Sequence, residues 1–188
     1  MSSFVGRIAR RGAVILLPAS LAACSKGDHR APEGPMDISL TSPAFPANGA
    51  IPAVHTCDGR DLSPALSWSG VPPSARSLAL IVDDPDAPRG TWVHWVLYNL
   101  PPAAGGLPEG AGSGALPAGT LQGRNDFKRT GYGGPCPPGG RHRYFHKLYA
   151  LDTVLDDLRE PTKADLERAM EGHVIARGEL VGTYERGQ

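Results

Sequence analysis

Residues 77–100 read SLALIVDDPDAPRGTWVHWVLYNL. Ser77–Val82 is a short, nearly continuous apolar run of the kind a buried strand gives. It breaks at Asp83-Asp84-Pro85-Asp86-Ala87-Pro88, where two prolines stiffen the chain and remove two N–H donors. Thr91–Leu100 follows, rich in aromatic and branched residues, and stops at Pro101-Pro102. Further along, Arg141–Leu151 and Val174–Tyr184 carry the same strand signal, with Gly and Pro at each boundary. Residues 103–119 are Gly-, Ala- and Pro-rich without pattern and read as a long surface loop. One helix is well signalled: Thr162 caps it, Asp165 completes a capping box, Leu166, Ala169 and Met170 share a face, and Gly172 ends it. A shorter helical turn is predicted at Val154–Leu158. Many strands and one late helix, with no internal repeat, predict a mostly β, antiparallel domain with short peripheral helices.

The composition agrees. The 188 residues hold 24 Gly and 19 Pro, which suits a loop-rich domain and argues against a helical bundle. With 19 Lys+Arg against 19 Asp+Glu the chain is formally neutral, so it has no electrostatic footprint for nucleic acid.

The N-terminus reads as a targeting segment. Arg7, Arg10 and Arg11 precede an uncharged stretch from Gly12 to Ala23, too short for a bilayer span and suited to a secretory signal. Leu21-Ala22-Ala23-Cys24 resembles the lipobox of bacterial lipoproteins. On that reading 1–23 is a signal peptide, Cys24 carries the lipid, 24–35 is a flexible tether, and 36–188 is the domain. The alternative is a plain secretory signal. Ser25 resembles an outer-membrane sorting residue, so the expected location is the periplasmic side of the cell envelope, outer membrane over inner. Losing three Arg leaves 16 Lys+Arg against 19 Asp+Glu, a net charge of −3, so membrane contact is expected through the lipid alone. In an exported chain the remaining Cys57 and Cys136 are expected to form a disulfide, the alternative being two neighbouring thiols.

Common catalytic signatures are missing: no G-x-S-x-G, S-x-x-K, H-E-x-x-H or C-x-x-C occurs. What stands out is a set of polar residues at strand ends. Asp84 and Asp86 point the same way in an extended segment. By the period of two, Trp92, His94, Val96 and Tyr98 share a face, as do His142, Tyr144 and His146. The two sets would converge as acid, imidazoles and phenol around a small hole, or would merely hold loops together. Gly131-Tyr132-Gly133-Gly134-Pro135-Cys136-Pro137-Pro138-Gly139 makes a stiff rim whose amide N–H groups are free to face an anion.

D-P-D-A-P at 84–88, His94-Trp95, G-P-C-P-P at 134–138 and H-R-Y at 142–144 together resemble the phosphatidylethanolamine-binding protein family, in its bacterial Raf-kinase-inhibitor-like branch. Cys57-Asp58-Gly59, Leu62-Ser63-Pro64, Trp68 and the ending at 172–184 look like the same branch. The resemblance covers about 36–186. It implies a central antiparallel sheet packed on a smaller one, and a small anion pocket at the sheet end. The pocket residues it implies are Asp84, Asp86 as support for the turn, His94, Gly134, Pro135, His142 and Tyr144, with Ala87–Pro88 cis. His146 departs from the pattern and is expected either to widen the polar site or to reach solvent.

The reading that follows is a non-enzymatic envelope protein holding a phosphate-type or zwitterionic head group, with no cofactor and no catalytic or metal residues assigned. Two alternatives stay open. One is a regulator that masks a protein partner, in the manner of kinase or protease inhibitors. The other, weaker, is an enzyme in which Asp84, His94 and His142 act as an acid/base or metal set.

Overall fold

The computed structural model describes Met1 and residues 38–187. The readings of the signal segment, Cys24 and the tether therefore lie outside the described residues. Eight strands form two antiparallel sheets. Three short strands, β1 (Ser39–Thr41), β2 (Leu66–Ser69) and β5 (Gly106–Leu107), pair in the order β1-β2-β5. The larger sheet has the order β6-β4-β3-β7-β8, from β3 (Ser77–Asp84), β4 (Trp92–Leu100), β6 (Leu121–Gln122), β7 (Arg141–Leu151) and β8 (Val174–Glu185).

β3 is central and buried along its whole length, and its alternation explains why an unbroken apolar run was needed. Leu78, Leu80 and Val82 enter the core between the sheets, with Leu40, Leu66, Trp68 and Leu148. Ala79 and Ile81 point the other way, onto Leu166 and Met170 of α1 (Lys163–Met170), the one α-helix among the described residues. That helix forms where its capping box lies. The Thr162 hydroxyl accepts from the Asp165 N–H, and the Asp165 carboxylate accepts from the Thr162 N–H. Gly172 follows at φ 76°.

β4 departs from simple alternation. Val82 pairs with Trp95 and Asp83 with Val93, so His94 is an extra residue without a partner on β3. This β-bulge corrects the expected common face. Trp95 and Leu97 join the intersheet core, whereas Val96 and Tyr98 pack under α1. The bulge turns His94 to the opposite side from Val96.

Three further expectations are corrected. The segment 103–119 is not wholly a surface loop: Leu107 pairs with Leu66 as β5, and Leu107 and Ala111 are buried. Residues 154–158 form no helical turn. Their backbone groups bond to side chains of β4, with Asn99 donating to the Leu155 carbonyl at 2.8 Å and accepting from its N–H at 3.0 Å. The Tyr98 hydroxyl likewise accepts from Leu158 N–H at 3.2 Å. No peptide bond among the described residues is cis, so Ala87–Pro88 is trans.

Candidate functional site

The ends of β3, β4 and β7 meet at one edge of the intersheet core. The even-numbered face of β3 that carries Leu80 and Val82 ends in Asp84. The same face of β7 begins with His142, then Tyr144 and His146. His142 Nδ1 lies 2.7 Å from Asp84 Oδ2. A carboxylate oxygen here accepts, so the imidazole proton sits on Nδ1 and the other ring nitrogen, Nε2, is left over. Asp84 Oδ1 accepts from Asp86 N–H at 2.8 Å, which closes the D-P-D turn on itself.

His94 is held by the rim. Its Nδ1 is 2.6 Å from the Gly133 carbonyl, which can only accept, so this ring too carries its proton on Nδ1. Burial pushes the His94 imidazole below its ordinary pKa, partly offset by the Gly133 carbonyl and the Asp84 charge. The ring is therefore neutral near pH 7 and its Nε2 is an acceptor, buried without a hydrogen-bond partner. Tyr144 stands behind it: the two rings meet edge to face at 5.2 Å, and the Tyr144 hydroxyl is also buried and unpartnered. Burial, then the Asp84 and Asp86 charges, push the Tyr144 phenol up, so it stays protonated.

A cavity of about 310 Å³ opens here, lined by Asp84, His94 and His142 and walled by Trp92, Phe127 and three prolines, Pro88, Pro137 and Pro138. Asp84, His94 and His142, predicted to converge, do so. Asp86, Gly134, Pro135 and Tyr144 stand outside that lining. Asp86 faces Arg143, accepting from Nε at 2.8 Å, Nη2 at 2.7 Å and the backbone N–H at 3.0 Å. These bonds hold the Asp86 carboxyl down at about 2. The expectation of free rim amides is corrected at Gly134, whose N–H donates to Asp61 Oδ1 at 2.6 Å, while Gly133 N–H donates to the His94 carbonyl at 3.0 Å. Pro135 contributes its carbonyl to Cys57 N–H at 3.0 Å. Cys57 and Cys136 are joined by a disulfide with their Cα atoms 5.4 Å apart.

His146 neither widens the site nor reaches solvent. It is 1% exposed, packed at 5.6 Å from the Phe45 ring, with neither ring nitrogen hydrogen-bonded in ordinary geometry. Burial lowers its imidazole to about 4. Phe127, which lines the cavity, carries no local signal in the sequence; it arrives from a polar loop. Asn125 places it, donating to the Gly131 carbonyl at 2.9 Å and accepting from Arg129 N–H at 3.3 Å. Among the described residues no group of three or more His, Cys, Asp or Glu is arranged to hold a metal ion.

Two packed antiparallel sheets with a mostly apolar cavity at their strand ends, its polar groups drawn from Asp84, His94 and His142, define the class, and sequence comparison gives the family. Residues 41–185 match the phosphatidylethanolamine-binding protein model, and the chain belongs to that family. It is similar to a UPF0098 protein of Methanothermobacter thermautotrophicus, 54% identical over 151 residues, which are 80% of this chain and all of the relative. A UPF0098 protein of Chlamydia trachomatis is 47% identical over 79% of this chain and 99% of its own length. Among solved structures, a phosphatidylethanolamine-binding protein homologue from Chlamydia trachomatis superposes with a TM-score of 0.75 at 46% identity, covering 79% of this chain and 97% of the other. YbcL of E. coli, a member of the same family, gives 0.74 at 36% identity over 79% and 98%.

Proposed function

We propose that this chain is a binding protein whose cavity takes a small phosphate-type or zwitterionic head group, without turning it over. The observation that carries this is the Asp84–His142 pair set into the wall of an accessible cavity that His94, with its unpartnered Nε2, also lines. Buried polar atoms of this kind call for a partner. His142 spends its Nδ1–H on Asp84, which leaves its Nε2 for a ligand in the cavity it lines. Asp84 opposes a bare anion and favours a ligand that brings an ammonium or hydroxyl donor. Charge-assisted bonds of this type are worth about 1.5–3 kcal/mol each.

Calorimetric titration of phosphate and phosphoethanolamine tests this. Tighter binding of phosphoethanolamine than of phosphate, abolished in folded His142→Ala, is the expected result, and binding of neither probe contradicts it. A second reading, a protein partner masked through the pocket rim, is favoured by Trp92 and Phe127, which stack edge to face and stand 39% and 37% exposed at the cavity. Capture of a partner that survives His142→Ala and fails in Trp92→Ala would select it. We also propose that residues 1–23 direct export and that Cys24 anchors the domain in the envelope by a lipid.

A further inference from the structure

Cys136 lies in the cavity wall, and its surroundings differ on its two sides. On the N-terminal side the rim is pinned residue by residue. The Tyr132 hydroxyl donates to the His55 carbonyl at 2.9 Å, Gly133 and Gly134 donate to His94 and Asp61, and the Pro135 carbonyl accepts from Cys57. On the C-terminal side nothing comparable exists. Among the described residues none donates or accepts a hydrogen bond to residues 136–140 outside the strands, and two of these are prolines without an N–H. A Cβ placed on Gly139 or Gly140 would meet nothing within 4 Å. The chain is fixed again only at Arg141, where β7 pairs with β8. Residues 136–140 thus form a strap whose covalent tie is the Cys57–Cys136 bond, and whose Pro137 and Pro138 form one side of the cavity. The other end of the tie is firm: Asp58, next to Cys57, accepts from the Tyr184 hydroxyl at 2.7 Å and from Arg186 at 3.1 Å.

We infer that the Cys57–Cys136 disulfide is a redox latch on the cavity: a dithiol reductant releases the strap 136–140 and weakens ligand binding. This rests on the reading of the cavity as the binding site. Both cysteines are exposed, so a thiolate of the reductant has access to the bond. It attacks one sulfur, the S–S bond breaks, and a mixed disulfide forms. The reductant's second thiolate displaces it, leaving the reductant oxidised to a disulfide. Two electrons and two protons end on Cys57 and Cys136 as thiols. The strap then moves without its tie, and a ligand must order it again before Pro137 and Pro138 wall the cavity, an entropic cost per residue fixed. The rim hydrogen bonds of Tyr132, Gly133 and Gly134 are made to residues other than the two cysteines, so His94 stays in place and the change is confined to one wall.

The test uses the full chain, oxidised and after dithiothreitol, with inorganic phosphate and phosphoethanolamine as probes in calorimetry. Amide exchange is followed in parallel, and the Cys57→Ser, Cys136→Ser double variant repeats the measurement without reductant. The expected result is affinity lower by about tenfold in the reduced protein and the variant, with exchange faster at 139–143 and unchanged in β3 and β7 beyond it. Equal affinities in both redox states overturn the latch and leave the binding reading standing. Failure of the oxidised protein to bind either probe overturns the binding reading, and the latch with it. Exchange that rises across the whole sheet on reduction also overturns the latch, because the bond is then a general staple of the fold.

Discussion

Asp83 and Asp84 are neighbours in sequence, yet their carboxylates serve opposite faces of the large sheet. Asp84 bonds to His142 on the cavity side at 2.7 Å. Asp83, fully buried, takes Lys147 Nζ at 2.9 Å and also Lys163 of α1 on the helix side. The pleat separates them, so one is tied to the fold and the other to the site.

The two acids are therefore predicted to part under mutation. Asp83→Asn takes the shared anion from two largely buried ammonium groups, leaving Lys163 only Glu167 at 3.7 Å, and destabilises the fold by about 3 kcal/mol, read by urea denaturation, with little change in ligand affinity. Asp84→Asn does the reverse: it keeps the size of the side chain, leaves stability nearly unchanged, and weakens phosphoethanolamine binding by about tenfold. Calorimetry showing unchanged affinity in Asp84→Asn would remove that residue from the site.

His146 sets a pH dependence of stability. Its imidazole is lowered to about 4 in the fold, against an ordinary value of about 6.5 in the unfolded chain. The unfolded state thus takes the proton first. The His146 contribution is intact above pH 6.5 and is lost as pH falls from 6.5 towards 4, costing about 2 kcal/mol by pH 5. His146→Leu is expected to flatten this part of the denaturation profile. A profile with the same slope in variant and wild type would show that another group is responsible.

Gly134 is required for packing rather than for a free amide. A Cβ there would lie 2.4 Å from the His55 carbonyl oxygen and 2.6 Å from Asp61 Oδ1. Gly134→Ala must displace backbone and is expected to cost about 2 kcal/mol, with a lowered melting temperature. Gly139→Ala, with open space around it, is the neutral control.

For the N-terminus, mass spectrometry of protein purified from membranes should show a chain beginning at Cys24 and carrying acyl mass. A chain that begins at Met1, or a soluble product without lipid after Cys24→Ser and before it alike, would defeat the anchor proposal.

The strands at 77–82, 91–100, 141–151 and 174–184 were legible because burial of β3 on both faces demands an uninterrupted apolar run, and because Pro and Gly punctuate the ends. The helix was legible because its cap is local chemistry between Thr162 and Asp165. What escaped was set by tertiary partners. β5 is two residues long and exists through Leu66. Residues 154–158 form no helical turn because Asn99 and Tyr98 take up backbone groups of Leu155 and Leu158. Of the site, Asp84, His94 and His142 could be placed from motif and resemblance, whereas Phe127 could not, since only Asn125 and the folded loop bring it there. The phase of β4 misled at Val96 and Tyr98 because a bulge leaves no mark in the residue pattern.

That bulge has a consequence for how this sequence can change. Because His94 is the supernumerary residue of its strand, the positions after it keep their own rhythm of facing inward and outward whatever stands at 94. Trp95, Val96 and Leu97 answer to the two packed sides of the sheet, whereas His94, which lines the cavity and packs edge to face on the buried Tyr144, answers to the cavity and the interior together.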